Sequence, residues 1–590
     1  MSGAEGPVRA TRVANSGGSL PGRSLAWLFP AGLAYVASRA PLMVLGFGSD
    51  GDAWSLAGTA VRLVRHGQYR VSRAPGHPVQ EAIHAMPIAF GGPLASNALT
   101  LLFSLVLLAV LARLGRVLGV PRPYWAVAML AVHPLFWITS ADSTDFMLAA
   151  LFGTAALLAA TSGSWRWAGV LLGLGMGTRM EIAVFALPLI VLSRDRLRWG
   201  TLAVAALTGA ASYLPVLLAY HGSPWQVGDL YTSRLDPATR AKLLVGSAWA
   251  ATGLVPGLAV AGALFAHSRE IVHLARRKDP LLLGAASLAG GLLLVTIVHP
   301  GKPTYYVPLL PLAVLALTRV APLAWRVILL LSFLSHALVY PDVIDQVCGS
   351  VSFGFRLNNG LVVKDWVARW NATQAAAMLE ENRPSDCDVM VLGYWLPMWR
   401  WEHLEAAPIE ALAPGVRVDP RTNAAFLGRQ GVRSVHNLDR LASAALRQQG
   451  MRLCYGEGID GFMREAHGYD IREFEAAALR TRDLGHGVFD RFALPTLLRC
   501  GLGEGRWREC VRSRLEDTDT EGPGDPGHPS TGRIRRPETC PDIEPQRVPG
   551  LVRPALGSMG GSARWRFLGC GFCGAAACGS GLVDARRGDG

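Results

Sequence analysis

Apolar stretches long enough to cross a bilayer recur through the first 340 residues, near 25–47, 93–112, 124–139, 145–161, 199–220, 243–266, 280–298, 304–318 and 322–340. Each approaches the roughly 20 residues that a membrane-spanning helix needs. Basic clusters fall between them: Arg113, Arg116 and Arg122; Arg194, Arg196 and Arg198; Arg276, Arg277 and Lys278. The positive-inside rule assigns all three to the cytoplasm. Trp165 to Ser193 reads at first as one long span, but a single crossing would expel the Arg194 cluster. Two short helices hinged around "GMGTRMEI" keep it inside. The total is then about eleven crossings, with the hinge, carrying Arg179 and Glu181, turned toward the outer face. Polar backbone at such depth needs protein or a water-filled cavity around it.

Beyond Tyr340 the pattern changes, and amphipathic helical runs such as "NATQAAAMLEEN" alternate with short apolar strands such as "CDVMVLGYW". The expected architecture is an α-helical multi-pass membrane protein: a cytoplasmic segment 1–23, a membrane domain 24–340 with an outer loop 48–92, and an extracytoplasmic α/β domain 341–500. A Gly-, Arg- and Pro-rich tail, 501–590, is expected to be disordered. The tail's Cys570, Cys573 and Cys578 offer a CxxC without a second pair or a nearby His, a weak metal pattern beside the disordered reading.

Composition supports this assignment. Of 590 residues 51% are hydrophobic and only 17% charged, against about a quarter charged in soluble domains. The net charge of +13 is scattered between apolar runs, with no basic stripe interleaved with aromatics, so nucleic acid is not an expected partner. Arg9, Arg12 and Arg23 precede an apolar run that exceeds a signal-peptide core of about 7–15 residues; an uncleaved first span is expected. The nine cysteines form no disulfide framework, and their odd number leaves at least one unpaired.

With the N-terminus inside, Asp50, Asp52, Asp142, Asp145, Glu181 and Asp229 gather at the outer face, with Arg179, His299 and Lys302 at the same level. Each has a structural reading. Asp50 or Asp52 can cap the amphipathic helix "AWSLAGTAVRLVRHGQY", laid at the interface on Trp54, Ala57, Val61 and Val64. Asp142 can cap a helix with Asp145 in its first turn, Arg179 and Glu181 can form an ion pair, and Lys302 can snorkel to the interface. Trp225 and Tyr231 fit an aromatic belt. The alternative is a site assembled from several spans at one face.

The loop itself carries a resemblance. An acid, a short helix ending in Gly-Gln-Tyr, the extended "RVSRAPGHP" with His77 and Glu81 held near the bilayer, then a span: this resembles the first outer loop of GT-C fold glycosyltransferases, in the family 39-like branch of protein O-mannosyltransferases and lipid A aminoarabinose transferase. "SADSTDFMLAALFGTAALL", "LLGLGMGTRMEIAVFALPL" and "HPGKPTYYVPLLPLAVLAL" resemble later segments of that branch. The resemblance implies an inverting glycosyltransferase of the plasma membrane, working at the extracytoplasmic side on a polyprenyl-phosphate sugar and an acceptor protein or glycolipid. It places the catalytic acid on Asp52, where Ala53 replaces the usual following Glu and Asp50 is a substitute partner. Arg179, Lys302, Tyr305 and His299 would contact the donor phosphate, and His77, Glu81, Asp142 and Asp145 would serve the acceptor or the loop. A divalent cation, held by Asp50 with Asp142 or Asp145, is an open possibility. A transporter or lipid flippase is the rival, kept by the Arg179/Glu181 hinge, and a receptor is a third reading.

Overall fold

A computed structural model describes residues 28–455 apart from 74, 193–197, 220–236, 299–301, 348–349, 382–386, 393–395, 405, 419–424, 429–430, 436–437 and 439. His299, Asp229, Trp225, Tyr231, Arg194, Arg196 and the whole tail lie outside the described residues, as does the part of the expected outer domain beyond 455.

The described chain is mostly helical. The membrane-like part runs through α1 (Leu28–Met43), α2 (Gly51–His66), α3 (Pro78–Val117), α4 (Tyr124–Val132), α5 (Pro134–Thr139), α6 (Phe146–Thr161) and α7 (Trp165–Thr178). After a 3-10 turn, Met180–Phe185, come α8 (Ala186–Leu192), α9 (Arg198–Ser212), α10 (Leu214–Ala219), α11 (Pro237–Thr252), α12 (Leu254–Ala266), α13 (Ser268–Arg276) and α14 (Pro280–Val298). A second 3-10 turn, Pro303–Leu309, leads into α15 (Leu310–Val320) and α16 (Leu323–Leu338). Among the described residues, four helical stretches are long and apolar enough to cross a membrane: Pro78–Val117, Arg198–Ala219, Pro280–Val298 and Pro303–Val320. Phe146–Thr161, Met180–Leu192, Leu254–Ala266 and Leu323–Leu338 are shorter apolar helices.

The boundaries differ from the apolar runs where backbone chemistry intervenes. Pro134 lacks an N–H and splits the 124–139 run into α4 and α5. Gly253, at φ +66, divides the 243–266 run between α11 and α12. In α3, Gly92 adopts φ 58 and ψ −147, a conformation that favours glycine, and the chain turns there. His84 on one arm therefore meets Ser96 on the other at 2.8 Å, twelve residues along the chain. The hinge between α7 and α8 is present, with Arg179 extended at φ −151 between the helix and the 3-10 turn.

Past α16, β1 (Val339–Val347) and β2 (Ser350–Asn359) form an antiparallel hairpin, followed by α17 (Leu361–Glu381). A five-stranded mixed sheet is built from β3 (Val389–Val391), β4 (Ala407–Pro408), β7 (Ala425–Leu427), β8 (Arg433–Val435) and β9 (Leu453–Tyr455) in the order β4-β7-β8-β3-β9. β3 is parallel to β8 and β9, while β7 is antiparallel to β4 and β8. The strands β5 (Ala411–Ala413) and β6 (Val416–Arg417) pair separately. Helices α18 (Leu396–Glu402) and α19 (Arg440–Gln448) accompany the sheet.

One expectation is corrected by packing. The apolar face of α2 was expected to lie on the bilayer, yet Trp54, Leu56, Ala57, Ala60 and Val61 join a buried cluster with Phe47, Ala372 of α17 and Met398 of α18. Phe47 sits edge-on to both Trp54 and Trp401, with ring centroids 5.3 and 4.6 Å away. An apolar stripe on one face of a helix is buried by whatever apolar cover is at hand, and the second half of the chain supplies it. Gly46, at φ +65, makes this possible, because a Cβ there would lie 2.5 Å from the Trp54 ring and 2.9 Å from Thr373. Gly46→Ala is expected to cost about 1–3 kcal/mol, read as a lowered apparent Tm in detergent.

Candidate active site

The two acids of the first loop have separate tasks. Asp50 is the N-cap of α2, its Oδ1 accepting from the Asp52 backbone N–H at 3.1 Å. That leaves Asp52 in the first turn with its carboxylate free of capping duty. Lys302, just before the second 3-10 turn, donates to Asp50 Oδ2 at 2.9 Å and also to Asp52 Oδ2. Arg73 approaches Asp52 from the extended stretch, Nε to Oδ2 3.5 Å.

Arg73 joins this pair to a deeper one. Its other guanidinium nitrogen donates to Asp145 Oδ2 at 2.7 Å. Asp145 also receives His77 Nδ1 at 2.8 Å and, on its other oxygen, Arg179 at 2.8 Å. Arg179 reaches Glu181 at 2.9 Å and lies over the rings of Phe146 and Tyr305, 4.1 and 4.8 Å from their centroids. Asp52, Arg73, Asp145, Arg179 and Glu181 thus form one chain of alternating charge, with Lys302 at its open end, where the side chain is 40% exposed.

Electrostatics follow from this order. Burial alone would push Asp52 up, but the charges of Arg73 and Lys302 outweigh it and hold the carboxyl well below its ordinary range. Burial works against the charge on Lys302, and Asp50 with Asp52 overcomes it, raising the ammonium well above its usual value.

The structure does not bring every expected residue into this chain. Asp142 has its own environment: it accepts the Thr144 backbone N–H at 2.8 Å and the Thr144 hydroxyl, and faces Arg369 of α17 at 3.7 Å. It does not cap α6; Asp145 occupies that N-cap position, without a capping bond because its oxygens are taken by cations. Glu81 is fully buried, accepting from the Tyr69 hydroxyl at 2.5 Å and from both the backbone N–H and the hydroxyl of Ser72 at 2.7 Å. It braces the loop. Among the described residues no three His, Cys, Asp or Glu side chains converge as metal ligands, and Asp50, Asp142 and Asp145 each face a side-chain cation. These residues do not fit a divalent cation site.

Arg73 was not among the expected site residues. Its signal in the sequence is slight: a cation two residues before the Pro75-Gly76-His77-Pro78 turn, on a segment already anchored near the acids.

Burial pushes the Asp142 carboxyl up to about 7, with Arg369 and Thr144 opposing it. A folded value above the unfolded one means that the folded state binds the extra proton between about pH 4 and 7. This contribution to stability is full below about pH 4 and lost as pH rises through about 7. The apparent Tm of the wild type is therefore expected to fall, relative to Asp142→Asn, as pH is raised across that window; parallel curves would overturn the assignment.

No protein-family model matches the chain, and no curated protein matches it. Among solved structures, the chain is similar to ArnT from Cupriavidus metallidurans in the apo state, at 15% identity over 72% of this chain and 95% of that one, with a TM-score of 0.44. It is also similar to that ArnT bound to undecaprenyl phosphate, at 14% identity over 64% of this chain and 84% of that one, again with a TM-score of 0.44.

Proposed function

We propose that this chain is an integral membrane glycosyltransferase that moves a sugar from a polyprenyl-phosphate donor to an acceptor hydroxyl or amine at the extracytoplasmic face, with inversion. The observation that carries the reading is Asp52 held between two cations, Lys302 and Arg73, at the open end of a buried charge chain. The division into an eleven-span domain, 24–340, and an outer domain, 341–500, belongs to this proposal.

The chemistry needs a base for the acceptor and positive charge for the departing phosphate. At rest Asp52 is a poor base, because its two cations stabilise the carboxylate. An arriving donor phosphate offers Lys302 and Arg73 a stronger anionic partner. As they turn to it, Asp52 loses compensation and its proton affinity rises beside the acceptor. The acceptor oxygen or nitrogen then attacks the anomeric carbon, its proton passes to Asp52, and the bond from that carbon to the phosphate oxygen breaks. Polyprenyl phosphate leaves against Lys302, Arg73 and Arg179. Asp145 keeps the two arginines in place, and His77 fixes Asp145, its ring nitrogen also lying 2.7 Å from the Thr178 carbonyl oxygen.

The test is transfer by the full-length protein in lipid nanodiscs, given labelled undecaprenyl-phosphate sugars or nucleotide sugars with protein and glycolipid acceptors. Label is expected to move from lipid-linked donors only. Transfer from nucleotide sugars alone, or from none, overturns the proposal.

A further inference from the structure

Arg369 lies in α17, outside the apolar spans, yet its side chain is fully buried. Its donors converge on the ends of other elements. One terminal nitrogen reaches the Ala141 carbonyl at 2.5 Å and the Leu42 carbonyl at 3.4 Å; the other reaches Ile138 O at 3.1 Å. Nε donates to Asp365 Oδ2 at 2.6 Å, and Asp365 Oδ1 accepts from the Ser49 hydroxyl at 2.5 Å.

These partners share a position. Leu42 is in the last turn of α1 and Ile138 in the last turn of α5, where carbonyls lack helical donors and carry partial negative charge. Directly after those ends come the two acid-bearing loops, one leading through Ser49 to Asp50 and Asp52, the other through Asp142 to Asp145. They also touch each other: Ser143 N–H donates to Phe47 O at 2.8 Å, and a Cβ on Gly48 would lie 3.1 Å from that of Asp142. One guanidinium and its i−4 carboxylate therefore hold both loops.

We infer that Arg369 and Asp365 are positioning residues of the outer domain, which lock the two acid-bearing loops in register so that Asp52 and Asp145 share Arg73. The catalytic consequence rests on the glycosyltransferase reading; the register of the loops does not. A planar fork can satisfy carbonyls and a carboxylate in different directions, whereas an ammonium is a point donor. Arg369→Lys is therefore a disabling change here, although it keeps the charge.

Two measurements on the full-length protein in nanodiscs separate the parts. In hydrogen exchange, Arg369→Lys and Asp365→Asn are each expected to speed residues 44–52 and 140–146 together, by about tenfold, leaving 303–320 unchanged. In transfer from undecaprenyl-phosphate sugar, kcat is expected to fall about 100-fold with KM for the donor nearly constant, as for a misplaced reacting group. Unchanged exchange in both loops, or loosening of one loop alone, overturns the inference. Loosened loops with wild-type kcat overturn it as well. If the wild type transfers nothing while the loops loosen together, the register role stands and the glycosyltransferase reading falls. Should Arg369→Lys fail to fold, Asp365→Asn, which takes away the carboxylate that orients the Arg369 fork on both loops, decides.

Discussion

Asp52→Asn is expected to lower transfer by about 10²–10⁴-fold while the protein remains folded and still binds undecaprenyl phosphate. Asparagine fills the same space and can still accept a bond from Lys302 or Arg73, but it takes no proton from the acceptor. The neighbouring variant sharpens the expectation. Asp50→Asn keeps a good N-cap and loses only the ionic contact with Lys302, so its deficit is expected to be about tenfold. Initial rates at saturating donor distinguish the two. Equal deficits would mean that the acids share the proton, and an Asp52→Asn rate within about threefold of wild type would remove Asp52 as the base. Binding provides the internal control: with the carboxylate neutralised, Lys302 and Arg73 are less occupied, and affinity for undecaprenyl phosphate is expected to hold or rise.

The largest stability effect is expected at Asp145, whose side chain is 1% exposed and meets Arg73, His77 and Arg179. Asp145→Asn leaves Arg179 with Glu181 alone and Arg73 with only its 3.5 Å contact to Asp52. Breaking a buried pair from one side costs about 3–5 kcal/mol, because the remaining charge stays desolvated. The signature is non-additivity. Arg179→Met in the Asp145→Asn background is expected to cost much less than in the wild type, since it removes a charge already without its main partner. Denaturation midpoints of the four proteins of this cycle measure it, and additive losses would show that Asp145 and Arg179 act independently.

The helices were legible because apolar runs of bilayer length leave little choice, and the α7–α8 break followed from placing the Arg194 cluster on the same side as the other basic clusters. Their breaks were less visible: Pro134 and Gly253 sit inside runs that hydrophobicity reads as continuous, while α3 begins at Pro78, inside the stretch read as outer loop, and turns at Gly92 just ahead of the 93–112 run. For the site, sequence collected the acids at one level but could not pair them. Arg73 meets Asp145 across 72 positions, and Arg369 meets Ala141 across 228, so no local period or motif links them. Asp142 was grouped with Asp145 because they are three residues apart, yet the turn at Thr144 sends their carboxylates to different arginines. The cover over α2 was missed for a related reason: an amphipathic helix shows that it has an apolar face, and cannot show whether lipid or protein will occupy it.

Asp50 and Asp145 occupy the N-cap positions of α2 and α6, each a helix of 16 residues. Both helices thus start at the charge chain, with the positive poles of their backbone dipoles directed into it, each equivalent to about half an elementary charge. Counted by side chains alone, the four carboxylates of Asp50, Asp52, Asp145 and Glu181 outnumber the three cations Lys302, Arg73 and Arg179. The main chain supplies roughly the missing unit of positive potential. A phosphate entering there meets a field that substitutions of Lys302 or Arg73 weaken without abolishing, because part of it is written into the direction of two helices.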